Sequence, residues 1–441
     1  MRNSTLLLVP GLLVALVSGC TSPMVAGSDP MRTPGHRDAS SVQSEAGPLA
    51  GDAGPVRSDS GAMALADASP APSPTPTPSA PDASPTPTPT PTPAAPDAGP
   101  TPTPTPTPAA PDAGPPAPAP GPTAVAPVFG VTIDNPWSPS AALLRSLDGL
   151  VDARGRRPMT RIVFDEGIDR VFRTGGSTAD AYVAPVTAIG AHARIMGELL
   201  DSYYMPTYDV AQLRARACEY RATLGHLVDV WEIGNEVNGE WLLRSGAPDT
   251  DVVDQIVAVA QVFEAGPAGF ATQCPGFTVR PDERPFEISM TAYGNGPTTG
   301  SSCWQRSSHQ METWLATNFG AGGRGAAVRE GIDYLFVSYY EDDCNGLQPA
   351  WPAVFDRLGT IFPSARLGFG ECGTIQLAQR VPMVQRYYGG MNASDPAFAN
   401  MRITHPRYVG GFFWWYFSRD YANAPTYAAL VAAQHAPFWS R

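Results

Sequence analysis

The chain has 441 residues, of which 49 are proline and 43% are hydrophobic. Its formal net charge is −12, and all 29 of its basic residues are arginine. Between Pro70 and Pro122 lie 23 prolines and almost no large apolar residue, so this stretch cannot fold around a core of its own. From residue 126 onward, 25 arginines face 32 acidic residues without any arginine-rich run, which argues against a nucleic-acid partner.

The first twenty residues are typical of an export signal. Arg2 precedes an apolar run at 6–17 that is too short to span a bilayer. The run ends in VSGC at 17–20, which resembles the cleavage box of bacterial lipoproteins, where the cysteine becomes the lipid-modified first residue. We therefore predict a lipoprotein signal peptide over residues 1–20, lipidation at Cys20, and export to the outer membrane or cell surface. An ordinary secretory signal with a chance cysteine is the alternative.

Residues 21–126 are predicted to form a disordered linker rich in Pro, Thr and Ala. The sequence SAPDA at 79–83 recurs with small changes at 94–98 and 109–113, a period of 15 residues. The Pro-Thr alternation between these repeats favours polyproline II at about 3.1 Å per residue, so about fifty residues reach on the order of 150 Å. We interpret the linker as a stalk, with the lipid anchor as the only membrane contact.

Residues 127–441 are predicted to form one α/β domain, because short apolar runs alternate with helix-like segments. The predicted strands span 128–133, 160–164, 193–200, 228–233, 286–291, 334–339, 365–369 and 408–417. The predicted helices span 140–153, 210–224, 251–265, 310–319, 352–361, 377–388 and 427–433. Eight such units fit a (β/α)8 TIM barrel. An open doubly wound sheet is the main alternative, but no glycine-rich phosphate loop follows the first strand.

The domain contains five cysteines in a compartment that the export signal predicts to be oxidising. On a barrel, Cys218 on the third helix and Cys274 after the fourth fall on neighbouring helices. Cys303 and Cys344 fall in adjacent loops at the top of the barrel. These are the two candidate disulfides, and Cys372 remains free. No cysteine or histidine cluster has the spacing of a metal site, so none is predicted.

Two glutamates lie where a barrel builds its active site, at the C-terminal ends of strands. Glu236 closes the run VWEIGNE on strand four, and Glu371 lies in GFGECG on strand seven. Together these motifs resemble the clan A glycoside hydrolases, barrel enzymes that include cellulases, mannanases and xylosidases. The resemblance covers the domain from about Val128. It implies that Glu236, preceded by Asn235, is the acid/base and that Glu371 is the nucleophile.

Other positions match the clan pattern more loosely. On strand two, Arg161 falls where the clan has an arginine near the nucleophile. On strand six, Tyr340 matches the tyrosine of a His-x-Tyr pattern, but Ser338 replaces the histidine. Strand eight ends in adjacent tryptophans, where the clan places one under the sugar. The residues that the resemblance assigns to substrate binding are Asn235, Arg161, Tyr340 and one of Trp414 and Trp415, between which the sequence does not decide.

The implied roles have a physical basis. A retaining glycosidase needs one carboxyl group to protonate the leaving oxygen and a second, ionised one to attack the anomeric carbon, about 5–5.5 Å away. We therefore expect a raised pKa for Glu236 and an ionised Glu371 held by donors such as Arg161. Glu232 is interpreted as a structural partner of an arginine.

Several aromatic residues are expected near the βα loops, where they are candidates for stacking against sugar rings. About half of them are expected to be ordinary packing residues. These residues are Trp137, Tyr204, Trp241, Tyr293, Trp304 and Trp351.

The sequence therefore predicts a retaining glycoside hydrolase that cleaves O-glycosidic bonds of an extracellular poly- or oligosaccharide by double displacement. It is expected to act as a monomer without a cofactor. A non-catalytic surface lipoprotein that binds glycan or envelope through the same cleft is the alternative, because the strand-six histidine is missing. A purely structural spacer is a third possibility, against which the costly acids at the barrel mouth argue.

Overall fold

The computed structural model describes residues 125–295, 306–343, 348–390 and 396–439. Eight parallel strands form a closed barrel in chain order, and β8 pairs with β1. The closed strand order confirms the (β/α)8 barrel and rules out the open doubly wound sheet. The strands are Val128–Ile133 (β1), Met159–Val163 (β2), Arg194–Glu198 (β3), Val230–Glu232 (β4), Glu287–Tyr293 (β5), Tyr334–Ser338 (β6), Arg366–Glu371 (β7) and Tyr408–Trp414 (β8).

Helices connect the strands on the outside of the barrel. Within the described segments they are Ala141–Asp148 (α1), Val183–Gly190 (α2), Val210–Leu224 (α3), Asp251–Glu264 (α4), Pro267–Gln273 (α5), Met311–Phe319 (α6), Trp351–Ile361 (α7), Leu377–Gly390 (α8), Phe417–Asp420 (α9) and Ala424–Gln434 (α10). Over the same residues, no helix has both the length and the apolar character that crossing a bilayer requires.

Helix α3 shows how local sequence sets an element boundary. Asp209 accepts a hydrogen bond from the backbone N–H of Gln212 at 2.8 Å, and the Gln212 side chain accepts one from the Asp209 N–H at 2.8 Å. This reciprocal capping box satisfies two N–H groups that have no partner within the helix. The helix therefore begins at Val210, and its bounds coincide with those predicted.

Some predicted bounds differ from the structure. The last strand was expected to reach residue 417 but ends at Trp414, because the chain turns there into α9. Helix α2 was not predicted. Its eight residues are mostly apolar and include Pro185, so they lack the polar face from which an amphipathic period is recognised.

Two groups of buried residues hold the barrel together. A large core lies between the strands and the helices. A smaller one fills the lower barrel interior, with members from β1 to β4, β6 and β8. Its residues are Val128, Met159, Met196, Val230, Tyr334, Phe336, Val409 and Phe413. Because the barrel is closed by apolar packing below, the charged residues of the interior gather at its C-terminal end.

One predicted disulfide is present. Cys218 on α3 is bonded to Cys274, which directly follows α5, and the two Cα atoms are 5.5 Å apart. The thiol of Cys372 is buried and free, as expected. The other candidate pair, Cys303 and Cys344, lies outside the described residues, as does Cys20.

Replacing both Cys218 and Cys274 by alanine is expected to lower the free energy of unfolding by about 2–4 kcal/mol, because the bond closes a loop with a sequence separation of 56 residues. Urea unfolding followed by circular dichroism measures this change. A Cys372→Ala variant is a matched control, since it removes a buried thiol without opening a loop. An equal loss in both variants would contradict a cross-linking contribution.

Candidate active site

A buried arginine organises the polar residues at the C-terminal end of the barrel. Arg161, on β2, has no exposed surface. Its guanidinium Nε lies 2.6 Å from Oε2 of Glu232, its Nη2 3.1 Å from Oε2 of Glu198, and its Nη1 2.8 Å from Oε1 of Glu371. One positive charge therefore faces carboxyl groups from β3, β4 and β7. The structure brings Arg161 against Glu371 as the resemblance implies, and it makes Glu232 the arginine partner.

The charges in this cluster do not balance if every carboxyl group is ionised. Burial by itself would lower the pKa of Arg161, but the three carboxylates raise that pKa well above its usual range. Burial raises the pKa of Glu198 strongly, and Arg161 opposes this shift. Among the described residues, none donates a hydrogen bond to the carboxyl oxygens of Glu198, whereas Thr291 and Arg161 both donate to the carboxyl group of Glu232. Of the three carboxyl groups, Glu198 is therefore the one whose surroundings most favour the neutral form.

Glu371 lies at the end of β7 and is surrounded by donors. The Asn235 side-chain amide donates to Oε1 at 2.6 Å, and the Tyr340 hydroxyl donates to Oε2 at 2.8 Å. Burial, and next the charge of Glu371, raises the pKa of Tyr340 well above its usual value, so this phenol remains a donor. Together with Arg161, these groups stabilise a carboxylate that is only 4% exposed.

Glu236 has a different environment. It follows β4 by four residues, in the loop rather than on the strand, and its φ of 48° is left-handed. A non-glycine residue adopts such a conformation at a cost of about 1–3 kcal/mol, so the surrounding contacts must fix it. The hydroxyl of Ser202 donates to Oε2 at 2.8 Å, and that of Ser338 donates to Oε1 at 2.7 Å.

The pKa of Glu236 is raised well above its ordinary value. Burial is the main cause, the charge of Glu371 is the second, and the hydroxyls of Ser338 and Ser202 oppose the shift. A carboxyl group whose pKa is raised keeps its proton to a higher pH, which is what a general acid requires. Glu236 and Glu371 therefore form a pair of carboxyl groups in different surroundings, since Glu371 lies against Arg161 whereas no arginine contacts Glu236 in the described part of the chain.

Ser338 and Asn235 link the surroundings of the two glutamates. Ser338 is the register partner of Glu371 across these strands, and its Oγ contacts Glu236. Neighbouring strands lie about 4.8 Å apart. Asn235, adjacent to Glu236 in the chain, also binds Glu371 directly. Glu236 and Glu371 therefore lie on the same side of the barrel mouth and share neighbouring residues.

The two tryptophans at the end of β8 differ in burial and in the residues that they contact. The ring of Trp415 is partly exposed, with its centroid 5.6 Å from the guanidinium carbon of Arg161. Trp414 is fully buried in the hydrophobic core, and its Nε1 donates to Asp420 at 2.8 Å. Of the two tryptophans between which the sequence does not decide, Trp414 is therefore a core residue and Trp415 is the one with exposed surface.

The backbone of β8 is irregular, so the usual alternation of inward and outward side chains along a strand does not predict which tryptophan is buried. Gly410, Gly411, Phe412 and Phe413 all have positive φ, and β8 is irregularly paired with both of its neighbours. A Cβ at Gly411 would lie 2.2 Å from the carbonyl oxygen of Phe369, so only glycine permits this approach.

The sequence did not reveal Ser202 as a site residue. It lies in the 3₁₀ segment Ser202–Thr207, just after β3, where a serine carries no recognisable signal. Trp241 supports it, since the indole Nε1 lies 3.2 Å from the Ser202 hydroxyl and the ring packs edge-on against Tyr293. Of the other candidate platforms, Trp351 is a core residue and Trp304 lies outside the described residues.

Comparison with known proteins gives no family model and no curated protein that matches the chain. Similar solved structures include Saccharomyces cerevisiae Gas2p in complex with laminaritriose and laminaritetraose, with 11% identity, a TM-score of 0.38, and coverage of 70% of this chain and 64% of that one. The endo-1,4-beta-mannanase from Rhizomucor miehei has 12% identity and a TM-score of 0.38 over 70% of this chain and 94% of that one. The AHE enzyme from Alicyclobacillus herbarius has 11% identity and a TM-score of 0.39 over 66% and 90%. The chain thus spans about 64% of the yeast protein.

Proposed function

We propose that the chain is a retaining glycoside hydrolase of the clan A type, which cleaves O-glycosidic bonds of an extracellular poly- or oligosaccharide. The observation that carries the proposal is the pair of buried carboxyl groups in opposite environments. Glu371 accepts from Asn235 and Tyr340 beside Arg161, whereas the pKa of Glu236 is raised. Pairs whose surroundings separate their protonation states are typical of acid and nucleophile assignments.

In the first step, Glu236 gives its proton to the glycosidic oxygen while a carboxylate oxygen of Glu371 attacks the anomeric carbon. The bond from that carbon to the leaving oxygen breaks, the alcohol departs with the proton, and a glycosyl ester forms on Glu371. In the second step, ionised Glu236 takes a proton from water, and the water oxygen attacks the same carbon. The ester bond breaks, and two inversions give net retention.

The surrounding residues have positioning roles in this scheme. Arg161 and Tyr340 hold the Glu371 carboxylate in place, and Asn235 lies where it can also donate to the sugar 2-hydroxyl, a bond that strengthens in the transition state. The partly exposed face of Trp415 lies beside Arg161 and would form the floor beneath the sugar.

We also propose that this domain works as a monomer on the outside of the cell, anchored through a lipid on Cys20 and extended by the Pro/Thr-rich linker. The support is the signal-like N-terminus and the 15-residue repeat of the sequence. A substrate that is too large to enter the cell is the kind that an extended, anchored enzyme reaches.

The proposal is tested by incubating the full-length protein with a panel of β-glucans, mannans and xylans and measuring the release of reducing ends. Glu371→Gln protein is the blank. Release by the wild type alone supports a hydrolase. Binding of a glycan without any release would instead support the alternative, a glycan-binding surface module, which the serine in place of the strand-six histidine favours.

Ser338 gives a pH test of the acid. Its hydroxyl stabilises the ionised form of Glu236, so Ser338→Ala is expected to raise the pKa of this carboxyl group further. The acid then keeps its proton to a higher pH, and the alkaline limb of the kcat/KM profile should move upward. Steady-state kinetics across pH measure the shift. An alkaline limb that stays in place or moves to lower pH would contradict the assignment of Glu236.

A further inference from the structure

The geometry points to a second sugar-binding subsite at the β1–β2 edge of the barrel mouth, formed by the indole face of Trp137 and the carboxylate of Asp165. It takes an uncharged glycosyl unit of a chain whose neighbouring unit occupies the catalytic site. This inference rests on the proposed function and narrows it, because it makes the substrate a neutral oligo- or polysaccharide that spans more than one subsite.

Trp137 lies in the loop between β1 and α1 and is 38% exposed. Its Nε1 donates to Oδ2 of Asp165 at 2.7 Å. One ring face stacks on Tyr182, with the ring centroids 4.4 Å apart and the planes inclined by 25°. Because Tyr182 covers one face, the exposed surface of the indole is the opposite face. A flat aromatic face open to solvent is the surface on which the C–H face of a pyranose stacks.

The support beneath Trp137 is rigid. Tyr182 has no exposed surface, and its ring packs edge-on against Phe164 at 4.7 Å. The Tyr182 hydroxyl accepts from the backbone N–H of Asp165 at 2.7 Å and donates to Oδ2 of the same residue at 3.2 Å. Stacking and hydrogen bonding thus fix the indole before any ligand arrives, which reduces the entropy lost on binding.

Asp165 supplies the polar half of the subsite. Its Oδ2 holds Trp137 and Tyr182, whereas Oδ1 accepts no hydrogen bond from any residue that the structure describes. A carboxylate oxygen beside an aromatic face matches the two surfaces of a sugar ring, since hydroxyl groups donate to the oxygen while the C–H face packs on the ring.

This edge is continuous with the catalytic residues. Asp201 directly precedes Ser202, whose hydroxyl donates to Glu236. Strands β2 and β3 are paired as far as Val163 and Glu198, so Asp165 and Ser202 follow neighbouring strands at the same end of the barrel. Trp137 binds Asp165 directly, which places the Trp137 platform on the loop next to the one that carries Ser202.

The acidic residues along this edge favour an uncharged sugar over an anionic one. The loops after β1, β2 and β3 place acidic residues along this edge, and the guanidinium of Arg419 already lies 3.6 Å from Asp134. A glycan bearing carboxylate or sulfate groups would be repelled by the remaining carboxylates. These acidic residues are Asp134, Asp165, Glu166 and Asp201. A neutral glycan meets no such cost.

The subsite is tested by calorimetric titration of the full-length Glu371→Gln protein with cellopentaose, laminaripentaose, mannopentaose, xylopentaose and a galacturonic acid pentamer. Trp137→Ala in the same background is expected to weaken binding of the best neutral pentamer about tenfold and to leave binding of the corresponding disaccharide unchanged. Trp137→Phe should retain most of the affinity. Phe172→Ala is the matched control, since Phe172 is 43% exposed, its ring packs edge-on against Tyr208, and its side chain cannot donate a hydrogen bond.

The inference is overturned if Trp137→Ala binds the pentamer as tightly as its parent, if the acidic pentamer binds best, or if no neutral pentamer binds. The test of the subsite can be distinguished from the test of the proposed function. If Trp137→Ala weakens pentamer binding while the wild type releases no product, the subsite is supported and the hydrolase is refuted. If the wild type hydrolyses the glycan and Trp137→Ala has an unchanged KM for long chains, the hydrolase is supported and the subsite is refuted.

Discussion

Glu371→Gln is expected to lower kcat by on the order of 10⁴-fold on any substrate that the wild type hydrolyses. The amide has nearly the shape of the carboxylate, but it lacks the charged oxygen that attacks the anomeric carbon. Its carbonyl oxygen can still accept from Tyr340 or Asn235, so the fold should persist. Kinetics on a chromogenic aryl glycoside measure the loss, and circular dichroism verifies folding.

A second carboxylate of the mouth serves as the matched control. Asp342 lies in the loop after β6, where Oδ2 accepts from the backbone N–H of Ile375 at 2.9 Å. It contacts neither Glu236 nor Glu371, so Asp342→Asn is expected to change kcat less than tenfold. A Glu371→Gln protein that stays within tenfold of the wild type would refute its role as nucleophile.

Arg161→Met is expected to lower the free energy of unfolding by about 3–5 kcal/mol and to abolish hydrolysis. The substitution leaves the buried carboxyl groups of Glu232 and Glu371 without their counter-charge. These groups must then be protonated in the folded state, and protonation becomes more costly as the pH rises. The loss of stability should therefore be larger at alkaline than at acidic pH. Urea unfolding at several pH values measures it.

The matched control for Arg161 is Arg280, which forms an exposed pair with Asp282 at 2.9 Å. Arg280→Ala should give no measurable change in unfolding, because exposed pairs are screened by solvent. Combining Arg161→Met with Glu232→Gln is expected to recover part of the lost stability, since it removes the buried carboxyl group that pairs with Arg161 at 2.6 Å. If Arg161→Met unfolds like the wild type at every pH, the cluster does not depend on its arginine.

The sequence was sufficient to predict the barrel and to place Glu236 and Glu371 at its C-terminal end. In a parallel barrel the strands are buried beneath helices, so short apolar strand sequences alternate with longer helical ones. This pattern can be read from the local sequence alone. Glu236 and Glu371 were found because each lies in a short motif next to a predicted strand end. The disulfide from Cys218 to Cys274 followed once neighbouring helices were assigned.

The details of the site depend on backbone geometry that no periodicity encodes. The left-handed conformation of Glu236 turns its carboxyl group toward Ser202 and Ser338, which are 136 positions apart in the chain. The positive φ values before Trp414 bury this residue and leave Trp415 at the mouth. Both effects come from tertiary contacts, which is why a strand pattern of period two gave no answer there.

The most direct test of the proposed chemistry is the anomeric configuration of the first product, followed by ¹H NMR before mutarotation equilibrates the anomers. Double displacement through Glu371 predicts that this product carries the same anomeric configuration as the bond that was cut. A first product of the opposite configuration would show single displacement by water and would contradict the assignment of Glu371 as nucleophile.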